Sequence, residues 1–169
     1  MLISWLFDLG GVTKENMSKR VYIMDCGKFV KIGVSKNVDK RTSQIPYIVK
    51  QYYCTERLEN AYEVEKNMHK FFKPVRNKEA NGLEYFSISF DIATEALNEI
   101  LVADKKILNA FLEGISCIDD CEKDAELYYK ILIKSLRLLP GDLYVVAQTV
   151  DAMLRKDEIN NKYYQNQIA

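Results

Sequence analysis

A chain of 169 residues is long enough for one substantial domain or for a small domain with a helical extension, and too short for two large ones. With 48% apolar and 28% charged residues, its composition excludes an intrinsically disordered chain and one built mainly of membrane spans. The net charge is zero, but residues 12–78 carry 15 basic and 7 acidic side chains, whereas residues 79–169 carry 9 and 16. The basic front part suits a polyanion such as nucleic acid, although charge alone fits a solvated surface equally well.

The chain starts with a short apolar run, MLISWLF, which Asp8 and two glycines interrupt. The run is too short to cross a bilayer, and it lacks preceding basic residues and a small-residue cleavage site. We therefore expect residues 1–19 to be an N-terminal extension that packs on the core of a cytoplasmic protein, in preference to contacting a membrane. The four cysteines form no CxxC pair, and we interpret them as free thiols.

The first structural elements form a predicted β-hairpin and a short helix. Residues 20–26 and 29–33 alternate between apolar and polar side chains and are rich in β-branched residues, with a Gly-Lys turn between them. Asn37 is the expected N-cap of a helix over residues 38–45, which Pro46 closes.

Three further elements follow before residue 91. Residues 47–55 have the composition of a third strand. Residues 59–72 lack glycine and proline and predict a helix that ends before Pro74. Residues 84–90 alternate as a half-buried fourth strand would. The element order predicts an α+β fold, a small antiparallel sheet flanked by helices.

From residue 91 onward the apolar residues recur with a helical period. Further helical patterns cover residues 105–112, 118–138 and 143–154. We therefore divide the chain into the extension 1–19, an α+β domain over residues 20–95 and a helical C-terminal region over residues 96–169. The helix predicted from residue 91 has an apolar stripe that comprises Ala93, Ala96, Leu97, Ile100 and Leu101.

Several motifs of the α+β domain carry a resemblance to a known family. Residues 21–24 (Val-Tyr-Ile-Met) are followed at hairpin distance by residues 31–33 (Lys-Ile-Gly), then by Arg41 and by a helix with Glu65. This order resembles the motif pattern of the GIY-YIG endonuclease superfamily. The chain is more narrowly similar to the phage and bacterial branch in which the second motif reads KIG, an E-x-x-x-H helix follows and a later strand opens with E-(W/Y)-F. The C-terminal helices lie outside the resemblance.

The resemblance implies hydrolysis of phosphodiester bonds in DNA with Mg²⁺ or Mn²⁺ as cofactor. Glu65 would be the single protein ligand of the metal, because Mg²⁺ prefers oxygen and keeps most of its waters. Arg41 would donate to the scissile or adjacent phosphate, and Tyr22 would orient the water or the phosphate. Lys31 stands where the superfamily has a tyrosine, so we expect it to offer charge to the phosphate. The general base is then Tyr22, His69 or a metal-bound water.

Each of these residues also has a structural interpretation. Glu65 could be a solvated surface charge, with Glu63 as an alternative carboxylate, and His69 could belong to the core. The superfamily's usual asparagine is not identifiable in this sequence. Further candidate contacts to the substrate phosphates are Lys28, Ser35, Lys36 and Lys40.

Three functional hypotheses remain open at this level. The first is a metal-dependent endonuclease acting on DNA in a bacterial or phage-infected cell. The second is a catalytically impaired nucleic-acid-binding or regulatory protein of phage type, which Lys31 keeps open. The third assigns the acidic C-terminal helices to protein interaction, with a homodimer as one form. The presence of both Glu65 and Arg41 favours the enzyme.

Overall fold

The structure is a computed structural model that describes residues 18–116 and 125–137. Within these residues it contains a four-stranded antiparallel sheet with the order β3-β1-β2-β4, and helices that flank it. The predicted α+β class and the antiparallel sheet are confirmed. The elements are β1 (Arg20–Asp25), β2 (Val30–Ser35), α1 (Val38–Thr42), β3 (Gln51–Cys54), α2 (Ala61–Phe71), a 3-10 turn (Lys73–Val75), β4 (Tyr85–Phe86), α3 (Phe90–Val102), α4 (Lys105–Ser116) and α5 (Ala125–Leu136).

The predicted hairpin is confirmed and forms the centre of the sheet. Its turn requires glycine at position 27, where the backbone has a φ of +91°. The Asp25 carboxylate accepts the Gly27 N–H at 2.8 Å and so fixes the turn. In the resulting register Tyr22 lies opposite Gly33, and Met24 lies opposite Lys31.

The two faces of the hairpin pack against different helices. Val21, Ile23 and Ile32 point into the main core, which α2, α3, α4 and α5 cover. Tyr22 and Met24 point to the other face, where they pack on Val38 of α1. Because successive side chains of a strand alternate between faces, this division follows directly from the sequence alternation.

The C-terminal helices described here are part of the core. Phe71 and Phe72, at the end of α2, pack with their rings 5.3 and 4.8 Å from the ring of Tyr129 on α5. The buried Tyr129 hydroxyl donates to the Phe71 carbonyl at 3.0 Å. Helix α3 runs across the predicted boundary between residues 95 and 96, and the division into domains stays a prediction.

Several predicted boundaries were wrong. The fourth strand ends at Phe86, and Phe90 is the first residue of α3. The Ile88 N–H bonds back to the Phe86 carbonyl at 3.0 Å, which turns the chain out of the sheet. The third strand and the first helix are also shorter than predicted. Leu101, predicted to lie in the buried stripe of α3, is 37% exposed.

Some sequence predictions lie outside the described residues. They concern most of the extension 1–19, the cysteines at 117 and 121, the start of the helix predicted over residues 118–138, and the helix 143–154. Cys26 and Cys54 are free thiols, as expected. Among the described residues, no helix has the length and apolar character needed to span a membrane.

Candidate active site

The candidate residues meet at the α1 face of the hairpin, beside the outer edge of β2. Cross-strand partners share a face of the sheet, so Tyr22, Gly33 and Lys31 lie on one side with α1. Among the described residues, strand β4 pairs with Val30 and Lys31 of β2, and its Phe86 also forms an isolated bridge with Arg76. The part of the outer β2 edge beyond Lys31 is the part that α2 approaches.

Arg41 and Tyr22 form a hydrogen-bonded pair on this face. The Arg41 Nε donates to the Tyr22 hydroxyl at 3.4 Å, and one terminal nitrogen donates to the Gln44 amide oxygen at 3.3 Å. The Asn37 side chain accepts the Lys40 N–H at 2.9 Å, which confirms it as the cap that fixes the start of α1. Burial raises the pKa of Tyr22, and the neighbouring Arg41 offsets only part of the rise. Tyr22 is therefore a protonated phenol at neutral pH.

Glu65 and His69 extend from α2 to the backbone of β2. The Glu65 carboxylate accepts the Val34 N–H, and the His69 Nε2 lies 3.0 Å from the Ile32 carbonyl oxygen, to which it donates. Burial, then the charge of Glu84, raises the pKa of Glu65. Burial lowers the pKa of His69 and so favours the neutral imidazole. Because the Ile32 carbonyl can only accept, this neutral form carries its proton on Nε2 and leaves Nδ1 as the basic atom.

Lys31 is buried and paired with an acidic residue. Its side chain is 5% exposed and forms an ion pair with the Glu84 carboxylate, which is 41% exposed. Its ammonium group lies 4.7 Å from the centre of the Tyr85 ring. The Ile32 N–H donates to the Glu84 carbonyl at 3.0 Å and thereby holds this residue beside β2. The charge of Lys31 is therefore already balanced within the protein.

The structure separates the predicted substrate contacts into two groups. Lys28 is exposed at the hairpin turn, whereas Lys36 and Lys40 are exposed at the opposite end of β2. A six-residue strand spans roughly 20 Å, so one phosphate cannot contact both groups. The Ser35 hydroxyl is used locally: it accepts the Asn37 N–H at 3.1 Å and donates to the Asn37 carbonyl at 2.8 Å.

The donor set at this face fits a hard cation held by one carboxylate. No group of three or more metal-ligating side chains occurs in the described part of the chain. Glu65 is a half-buried carboxylate whose charged form burial disfavours, and no ion pair joins it to another described residue within residues 18–116 and 125–137. A divalent cation with several waters would compensate this charge. The exposed Glu63 instead pairs with Lys105 at 3.5 Å.

A family model, that of the T5orf172 domain, matches residues 12–101, more than half of the chain. The chain belongs to the T5orf172 domain family. This phage-associated, nuclease-like family is related to nuclease folds of the GIY-YIG and HNH-like kinds, which indicates a function related to nucleic acid. No curated protein and no solved structure gave a match.

Two residues of the T5orf172 domain contribute more to the site than the sequence indicated. Glu84 belongs to the strand predicted over residues 84–90, but its carboxylate balances the charge of Lys31. Gly33 provides the space in which the Tyr22 ring lies, because an added Cβ would be 2.5 Å from the hydroxyl oxygen and 2.7 Å from Cζ. The KIG motif itself was the available signal for Gly33.

Replacing Gly33 with alanine should displace Tyr22 from Arg41. We expect Gly33→Ala to lower the free energy of unfolding by about 1–3 kcal/mol, because the added methyl overpacks the site. Urea unfolding measures this loss. The matched control is Gly114→Ala on α4, where an added Cβ has no neighbour within 4 Å. The control should be neutral or slightly stabilising, and an equal loss in both variants would contradict the packing argument.

The lowered pKa of His69 predicts a pH dependence of stability. The folded-state pKa lies below the ordinary value of 6.5, so the folded protein binds the proton less readily than the unfolded chain. The stabilising contribution is present above about pH 6.5 and is lost as the pH falls through the folded-state pKa. We expect wild type to lose stability relative to His69→Gln between pH 7.5 and 5.5 in urea unfolding. Parallel pH profiles of the two proteins would contradict this prediction.

Proposed function

We propose that this protein is a metal-dependent endonuclease of GIY-YIG type that hydrolyses phosphodiester bonds in DNA. The observation that carries the proposal is the half-buried Glu65 carboxylate beside the outer edge of β2, in a hairpin whose strand β1 carries Tyr22, the hydrogen-bond partner of Arg41 on α1. The charges of Glu65 and Glu84 both act on the Tyr22 hydroxyl, so these groups share one electrostatic environment. Membership of a nuclease-like family supports the same class of substrate.

Each residue of the site has a separate role in the proposed hydrolysis. Glu65 would hold Mg²⁺ or Mn²⁺, which stabilises negative charge on the phosphoryl oxygens. Arg41 donates to a phosphate oxygen through the nitrogens that Tyr22 leaves available. Tyr22, as a protonated phenol, donates to the phosphate or orients the attacking water. His69 accepts a proton at Nδ1 while Nε2 stays bonded to the β2 backbone.

The Lys31–Glu84 pair favours the second candidate function, binding without turnover. A buried lysine that is already ion-paired supplies no free positive charge to the phosphate, and it replaces the tyrosine of the superfamily's second motif. In that case the basic α1 face would bind nucleic acid as a catalytically impaired or regulatory module of phage type. Action in the cytoplasm and a homodimer formed through the C-terminal region are part of either proposal.

Plasmid cleavage separates the two candidates. We expect purified wild type to nick supercoiled plasmid with Mg²⁺ or Mn²⁺ and to lose this activity in EDTA. The nicking rate of Arg41→Gln should be about 10²–10³-fold lower than that of wild type. The matched control is Arg57→Gln, an exposed arginine next to the opposite edge of the sheet, which should retain activity. Salt-sensitive DNA binding without cleavage by wild type would instead support the binding module.

A further inference from the structure

A second basic feature lies beyond β4, at the end of the sheet next to α2. It is an open cavity of about 460 Å³ between the 3-10 turn and the loop that leads into β4. Its lining includes Lys73, Arg76, Asn77, Lys78 and Leu83. None of the candidate catalytic residues lines this cavity.

The charge of the lining points to an anionic ligand. Of the described residues that line the cavity, three are basic and none is acidic. The Nε of Arg76 is buried and has no hydrogen-bond partner among the described residues. A buried donor without a partner is unfavourable, and the terminal nitrogens of the same guanidinium would donate to an anion in the cavity.

The cavity wall is held in place by one asparagine. The Asn77 N–H donates to the Tyr85 carbonyl at 2.9 Å, and its side-chain amide donates to the Ser87 hydroxyl at 2.9 Å. Its side-chain oxygen accepts the N–H groups of Glu79 and Ala80 at 2.9 and 2.8 Å. Asn77 therefore ties the start of the loop to Tyr85 of β4 and to Ser87, and its side-chain oxygen fixes the turn at Glu79 and Ala80.

The cavity lies close to the candidate active site, because one aromatic ring, that of Phe86, is near residues of both. The Arg76 guanidinium carbon is 5.7 Å from the centre of the Phe86 ring, and the His69 ring is 5.2 Å from the same centre. The charge of Arg76 also acts on the His69 imidazole and contributes to its lowered pKa. A ligand that extends past His69 along this edge would reach the cavity.

We propose that this cavity is a phosphate-binding subsite for the backbone of the same nucleic-acid strand whose scissile phosphate lies at Arg41 and Glu65. The proposal rests on the proposed function for the identity of the strand. Arg76 supplies the bidentate contact, and Lys73 and Lys78 add positive charge at the rim. The shared ligand chemistry is a phosphate group, which a small free phosphate could also supply.

The test measures DNA binding in EDTA, so that cleavage does not enter the result. The probe is a fluorescein-labelled duplex of ~24 base pairs, which is longer than the footprint of a single domain. It is titrated with wild type and with Arg76→Gln, Lys78→Gln and Arg57→Gln between about 50 and 300 mM salt. We expect Arg76→Gln and Lys78→Gln each to weaken binding about tenfold at low salt and to reduce the salt slope by about one. Arg57→Gln should behave as wild type.

The outcomes separate this subsite from the proposed hydrolysis. Weaker binding by both cavity variants, with wild-type melting temperatures, supports the subsite even where wild type fails to cleave. Wild-type binding by both variants overturns it, and leaves hydrolysis standing where cleavage persists. Calorimetric titration with inorganic phosphate tests whether the ligand is instead a small free phosphate. Phosphate binding that depends on Arg76, together with unchanged DNA binding, would assign the cavity to that small phosphate and overturn the strand assignment. No measurable DNA binding by wild type would overturn it as well.

Discussion

Glu65→Gln should abolish metal-dependent DNA cleavage while leaving the protein folded. The amide keeps the shape of the side chain and an oxygen for the Val34 N–H, but it removes the negative charge that a divalent cation requires. We expect plasmid nicking to fall by at least about 10³-fold, since a metal contributes several kcal/mol of transition-state stabilisation. Stability should be unchanged or higher at pH 7, because the raised pKa shows that the site disfavours the ionised carboxylate.

The neighbouring Glu63 provides the matched control for this experiment. It lies on the same helix, but it is exposed and pairs with Lys105. Glu63→Gln should therefore cleave as wild type does. Loss of cleavage in Glu63→Gln with retention in Glu65→Gln would move the metal to the other carboxylate and contradict the assignment.

Glu84→Gln should destabilise the protein far more than its partial exposure suggests. The substitution leaves the buried Lys31 ammonium without its ion-pair partner, and breaking a buried pair costs about 3–5 kcal/mol. Because solvent reaches Glu84, we expect a smaller loss, about 2–3 kcal/mol. Urea unfolding at pH 7 measures it.

A double substitution tests the cause of that loss. Adding Lys31→Met to Glu84→Gln removes the buried charge, so the double variant should recover much of the stability. Glu95→Gln, which removes one partner of an exposed ion pair with Arg137, should have a much smaller effect than Glu84→Gln. A double variant no more stable than Glu84→Gln would show that the loss of stability in Glu84→Gln is not caused by the unpaired charge of Lys31.

Local patterns in the sequence predicted most of the elements but not all of their ends. The Gly27 turn, the Asn37 cap and the proline after α2 are signals confined to a few neighbouring residues, and the structure confirms them. The end of β4 was missed because Phe90 continues the alternation of a strand. It is instead the first residue of α3.

Sequence motifs selected the residues of the candidate site, whose roles stay a prediction, but the contacts between them were not predictable. The motifs selected Tyr22, Arg41 and Glu65, which the structure places around one hairpin. The Lys31–Glu84 pair was not predicted, because it depends on which strand lies at the edge of β2. The arginine cavity was missed for a similar reason: its lining comes from a loop whose shape depends on hydrogen bonds of Asn77.

The position of Glu65 and His69 has a consequence for solubility as well as for chemistry. Beyond Lys31 the outer edge of β2 has no partner strand among the described residues, and an open edge can pair with a strand of another molecule. The two side chains occupy the Val34 N–H and the Ile32 carbonyl, which are the groups that such a strand would use. Removing both would thus leave a short unprotected edge beside the substrate face, where intermolecular strand pairing and aggregation could begin.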